Sequence, residues 1–188
     1  MSHVIRRFVP ADTDAMLAFA NGLPEHDLLF LGRDLRHPRV IEAWQAAIAE
    51  GWIDSLVAES DGRVVGSAAL VRDPLGWSGH VGEVRLLVSS ERRGAGLGRD
   101  LLEAIFAIAA AHGLDKLTAA MTTDQQASIA LFESLGFRAE AMLKDQVRGR
   151  DGTPHDLAIL SLDVSRHHAA TTAFGVELND RRPGALTG

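Results

Sequence analysis

The sequence predicts a mixed α/β fold: a central, mostly antiparallel sheet flanked by helices on both faces. Three observations carry this. Short strand-like segments alternate with longer segments whose apolar residues recur at helical spacing. Two turn signals, Asp61-Gly62 and Arg150-Asp151-Gly152-Thr153, join neighbouring strands as hairpins. A strand near residues 80–89 leads through a glycine-rich stretch into a long amphipathic segment.

Taken in order, residues 4–9 read as a strand. Pro10 and Asp12 open a helix carrying Met16, Leu17 and Ala20, which Gly22 and Pro24 stop. Residues 25–38 are irregular and charged, but their Leu28-Leu29-Phe30-Leu31 run must be buried. A second helix, 40–50, carries Ile41, Trp44, Ala47 and Ile48, with Gly51 as its stop. Strands at 55–60 and 63–71 flank Asp61-Gly62. Asp73-Pro74-Leu75-Gly76 is a loop, and the third of these strands occupies 80–89. A helix over 96–112 buries Leu97, Leu101, Ile105, Ile108 and Ala109, with Gly113 as C-cap. A strand at 116–122 follows. Thr123 and Gln126 then read as a capping box for a helix closed by Leu135-Gly136-Phe137. Strands at 138–147 and 155–163 complete the order β-α-α-β-β-β-α-β-α-β-β. Residues 1–164 are expected to form one domain. Residues 165–188 read as a tail of low order, able to hang free or to pack on a partner in a homodimer.

The totals narrow the function classes. With 188 residues, 46% hydrophobic and 23% charged, a packed core can form. The formal net charge of -6 argues against nucleic acid as the main partner. No uninterrupted apolar run is long enough to cross a bilayer. The N-terminus lacks the apolar core of a signal peptide, so the cytoplasm is the expected location. With no cysteine, neither a thiolate metal site nor an acyl-cysteine intermediate is available.

The chemistry lies between residues 81 and 102. A strand delivers the chain to Ser89-Ser90-Glu91, and glycines then alternate up to the start of a helix. Amides at a helix N-terminus lack internal partners and lie at the positive end of the dipole. Glycines let a bulky ligand approach the backbone. Such a segment can hold phosphate or pyrophosphate, and Arg92, Arg93 and Arg99 add charge. A tight structural turn is the plainer reading of the glycines alone. The dinucleotide-loop spacing Gly-x-Gly-x-x-Gly and the P-loop lysine are both missing.

Arg93-Gly94-Ala95-Gly96-Leu97-Gly98 resembles the Arg/Gln-x-x-Gly-x-Gly/Ala signature of the GNAT superfamily of N-acetyltransferases. The segment from Gln125 to Phe137 is similar to that family's later helix, which ends in Gly-Phe. The resemblance spans residues 4–163. It implies that the backbone from Gly94 to Arg99 binds the pyrophosphate of coenzyme A. It implies that Leu87 and Val88 pair with the pantetheine arm, which requires the sheet to splay. Gln125, Ser128 and Phe132 would line the far side. Many members carry Tyr where Phe132 stands, and that hydroxyl can protonate the departing thiolate. This chain has no tyrosine. A thiol pKa of ~8.5 still makes the thiolate a tolerable leaving group.

An attacking amine must lose a proton. Glu83, on the strand before the glycines, is a candidate base, close to where the family frequently keeps a glutamate; a plain ion pair with Arg85 is the alternative. His80 is a second candidate base or a solvated loop histidine. Glu25, Asp27 and Asp34 could receive a cationic amine or be solvated loop charges. Trp44, Trp52 and Trp77 read as core or cleft wall, Trp77 with a chance of touching substrate. His155-Asp156 reads as structural and His167-His168 as tail, so no metal is expected. The expected function is acetyl transfer from acetyl-coenzyme A to a primary amine by direct attack in a ternary complex. The acceptor is a small-molecule amine or a protein lysine or N-terminus. The alternative is a non-catalytic acyl-coenzyme A-binding or regulatory module.

Overall fold

The structure, a computed structural model, describes residues 2–165. The expectations for the tail and for His167-His168 lie outside the described residues. Seven strands form one sheet: β1 Val4–Arg7, β2 Ile53–Ser60, β3 Arg63–Arg72, β4 Val81–Val88, β5 Lys116–Thr122, β6 Arg138–Arg148 and β7 Pro154–Asp163. Four α-helices, α1 Thr13–Asn21, α2 Pro38–Ala49, α3 Leu97–Ala111 and α4 Gln126–Ser134, complete the predicted order. The sheet order is β1-β2-β3-β4-β5-β7-β6, and the β4–β5 pair alone is parallel.

Local chemistry explains most of these elements. Asp61 and Gly62 both have positive φ (52° and 71°), as a two-residue hairpin turn of this hand requires. At the end of α4, the Phe137 amide donates to Phe132 O (3.1 Å) and the Gly136 amide to Glu133 O (3.0 Å), with Phe137 fully buried behind the cap.

Two apolar layers sandwich the sheet. On one face α3 buries Leu97, Leu101, Leu102, Ile105 and Ala109 against Leu56, Leu70, Val84 and Leu117. Full burial of Leu101 or Ile105 is worth about 1.5–3 kcal/mol each. On the other face Phe8, Met16, Phe19, Leu28, Leu31 and Ile41 pack with Val57 and Leu87.

Three expectations need correction. Residues Glu25–Leu31 form a 3₁₀ turn rather than irregular chain, burying Leu28 and Leu31. The Thr123–Gln126 capping box does not form. The Thr123 amide donates to Asp156 O of β7 (3.1 Å), which holds it beside the sheet and moves the helix start to Gln126. Trp77 is neither core nor cleft wall: it stands fully exposed in the β3–β4 loop, and Trp52 is also exposed.

The feature that positions the site is a split in the sheet. β4 and β5 pair at Val81↔Lys116, Gly82↔Leu117 and Glu83↔Thr118, and no further. Outer neighbours pull the continuing strands apart: β3 pairs with β4 as far as Val88, and β7 with β5 as far as Thr122.

Candidate active site

The cradle is built from Ser90–Arg92, a short 3₁₀ turn, and the glycines after it. Gly94 and Gly96 have φ of +72° and +89°, the left-handed region that side chains other than glycine enter at a cost. The first backbone hydrogen bond of α3 runs from the Asp100 amide to Gly96 O (3.1 Å), so the helix amides ahead of it have no helical acceptor. Gly98 has a different task. A Cβ there would meet Leu131 Cδ2 at 2.9 Å, so its lack of a side chain lets α3 pack against α4 and β4.

A cleft of about 680 Å³ opens over this cradle and into the split. Leu87, Val88, Arg93, Gly94, Gly96, Gly98, Arg99, Gln125, Ser128 and Phe132 all line it. Of the expected coenzyme residues, Ala95 and Leu97 do not. Ala95 is exposed, and the Leu97 side chain is buried in the core, so each offers only its backbone. The arginines are held in place. Arg93 donates to Val88 O (3.3 Å) and pairs with Asp27, Arg92 bonds Ser60 Oγ, and Arg99 bonds Ser134 Oγ (3.0 Å).

A second cleft, about 820 Å³, lies on the far side of the split, and Phe30 and Ala120 line both. Glu83 lines this second cleft, with its carboxylate accepting from Arg85 Nε at 2.7 Å. His80 is exposed at the paired end of β4 and lines neither cleft. The carboxylates expected to receive a cationic amine are already paired. Arg36 and then Arg150 hold the Asp34 carboxyl well below the usual range, overcoming the opposing effect of burial. The Arg150 amide and the Arg36 guanidinium lower Glu25 likewise. Asp27 is taken by Arg93.

One constellation was not legible in the sequence. His26 Nε2 lies 3.0 Å from Asp124 Oδ1 and 3.0 Å from Thr122 Oγ1. The His155 ring meets His26 edge-on with centroids 5.0 Å apart. Burial pushes the Asp124 carboxyl up, but the Thr122 hydroxyl and His26 outweigh it and the net displacement is downward. These partners are separated by 98 residues along the chain, so no spacing rule could find them.

A split sheet with free amides at its mouth and a second cleft behind it has the form of a two-substrate site, with a place for an anionic ligand on one side. The chain belongs to the acetyltransferase (GNAT) family, whose model matches residues 23–137. It is 32% identical over 132 residues to the L-methionine sulfoximine/L-methionine sulfone acetyltransferase of Pseudomonas paraeruginosa, covering 69% of this chain and 76% of that protein. Among solved structures, it is similar to a putative acetyltransferase from Salmonella typhimurium with its cofactor acetyl-CoA (TM-score 0.73, 25% identity, 87% and 95% of the two chains). It is also similar to a ribosomal-protein-alanine N-acetyltransferase from Brucella melitensis (TM-score 0.73, 28% identity, 85% and 99%). The chain is therefore an acyltransferase rather than a non-catalytic module, and its family supports acetyl-CoA as co-substrate. Among the described residues no helix is long and apolar enough to cross a membrane.

Proposed function

We propose that residues 1–164 form one cytoplasmic N-acetyltransferase domain, transferring acetyl from acetyl-CoA to a primary amine by direct attack in a ternary complex. The observation that carries this is the meeting of two clefts at the split behind Glu83. The cradle amides from Gly94 to Arg99 hold the pyrophosphate. The unpaired edge of β4 at Leu87 and Val88 takes the pantetheine arm as a sheet takes an added strand. The amine enters by the second cleft, where Glu83, directly or through a water, accepts its proton as nitrogen attacks the thioester carbonyl. With no cysteine in the chain, no acyl-cysteine precedes that attack.

The charge of the second cleft favours an acceptor that is both amine and anion. Glu25 and Asp34 are spent on Arg36 and Arg150, and Glu83 faces Arg85. Arg33 and Arg148 also line the cleft and have no ion-pair partner among the described residues. Free guanidinium groups bind carboxylates well. An amino-acid-type acceptor fits both this charge and the named activity of the Pseudomonas relative.

The test is calorimetric titration with acetyl-CoA of the wild-type protein and of Gly96→Glu, which puts bulk and negative charge into the cradle. Binding that the variant abolishes, followed by thiol release with a panel of amino acids, is the expected result. A folded wild-type protein that binds no acetyl-CoA would refute the proposal.

A further inference from the structure

Phe132 lines the coenzyme cleft and offers no hydroxyl, and the chain has no tyrosine to supply one from elsewhere. Another group in that cleft can meet the charge that develops on the leaving sulfur. Among its lining residues are His26 and Asp124, whereas Glu83 lines only the second cleft.

We propose that His26 stabilises the departing coenzyme A thiolate by a charge-assisted hydrogen bond, with Asp124 as the residue that positions it. This rests on the acetyl transfer proposed above. His26 comes from the 3₁₀ turn Glu25–Leu31 and Asp124 from the connection between β5 and α4, so the pair bridges the two walls of the cleft. In the proposed arrangement the Nε2–H is given to the Asp124 carboxylate 3.0 Å away, and Nδ1, which has no hydrogen-bond partner among the described residues, is the donor to sulfur. Thr122, almost fully buried, hydrogen-bonds the same carboxylate and fixes it. When the C–S bond breaks, its electron pair goes to sulfur. The imidazolium Nδ1–H donates a hydrogen bond to that thiolate, and the pair stays as thiolate and imidazolium until coenzyme A is released. On release the thiolate takes its proton from solvent.

The charged neighbours are few. Asp124 approaches from the β5–α4 connection, and His155 from β7. Asp27, on the same turn as His26, is neutralised by Arg93 of the cradle, and Glu25 turns away to Arg36 and Arg150. Among the described residues Asp124 is thus the one carboxylate of this group without an arginine partner, and its charge faces His26.

The experiment needs no knowledge of the acceptor. Coenzyme A is added to saturation, as checked by calorimetry, and its thiolate is titrated by ultraviolet absorbance. The protein holds neither cysteine nor tyrosine, so the coenzyme thiol is the one group in the complex that gives this signal. In the wild type the midpoint should fall below the free-thiol value of ~8.5 by about one pH unit or more, as for a thiol beside an imidazolium. In His26→Gln it should return close to ~8.5, and in Asp124→Asn it should lie between. Equal midpoints in wild type and His26→Gln, both saturated with coenzyme A, would overturn the proposal while leaving the acetyltransferase reading intact. Failure of the wild type to bind coenzyme A would overturn both. Stoichiometric zinc that the purified protein retains, and that both His26→Gln and His155→Gln lose, would also overturn it by making the cluster a metal centre.

Discussion

Glu83 of β4 and Thr118 of β5 are the last partners of the parallel ladder, and one residue beyond them the sheet is open. The Glu83 carboxylate therefore sits at the vertex of the split, on the side of the second cleft. In the proposed reaction, a base at this vertex would reach a substrate entering from behind without contacting a coenzyme arm laid along β4.

Replacing Glu83 by Gln should separate binding from chemistry. Coenzyme affinity should stay nearly intact, because Glu83 does not line the coenzyme cleft. Turnover should fall by ~10²-fold or more, the usual scale for a lost general base. Calorimetry with acetyl-CoA and steady-state thiol release measure the two; unchanged turnover would remove Glu83 from the mechanism.

Arg33→Ala together with Arg148→Ala should raise KM for carboxylate-bearing amines and spare KM for acetyl-CoA. Both side chains are exposed and screened by solvent, so the effect should be about 3–10-fold rather than larger. An amino acid and its methyl ester, compared side by side, provide the check. If the double variant changes KM for both equally, the arginines do not read the carboxylate.

Gly98→Ala should destabilise the fold. The added methyl would meet Leu131 Cδ2 at 2.9 Å, with Leu86 and Val88 behind it. Overpacking of this kind costs about 1–3 kcal/mol. For a chain of this size the melting temperature should drop by roughly 2–4 °C per kcal/mol, read by calorimetric scanning.

Asp12 couples stability to acid. Hydrogen bonds from Arg6, at 2.7 and 2.8 Å, hold its buried carboxyl below the usual range against the cost of burial, and the Val9 amide (2.9 Å) assists. A folded-state pKa lower than the unfolded one stabilises above the unfolded value and is lost as pH falls through the folded value. Asp12→Asn should therefore cost about 1–3 kcal/mol at pH ~7, and the gap to wild type should narrow below pH ~4. Urea unfolding at the two pH values tests the sign. A gap that widens in acid would show that the Arg6–Asp12 pair is not its source.

Elements governed by neighbours in sequence were legible. The Asp61-Gly62 turn, the Gly136 cap and the alternating glycines each follow from what a few consecutive residues can do with their backbone. The Thr123 capping box failed because a competing acceptor, Asp156 O, lies on a strand 33 residues away in sequence.

The sequence by itself determined the order of elements, the glycine-built turn ahead of α3 and membership of a recognisable family. Periodicity, glycine conformation and helix-end chemistry are properties of short stretches of chain. Only the tertiary structure decided which charges are free. Glu25 and Asp34 read as open acids in sequence, yet Arg150 folds back across more than a hundred residues to occupy them both. The same folding sets His26 against Asp124 and leaves Arg33 and Arg148 without an ion-pair partner among the described residues. Electrostatic partners are chosen by distance in space, which local sequence does not encode.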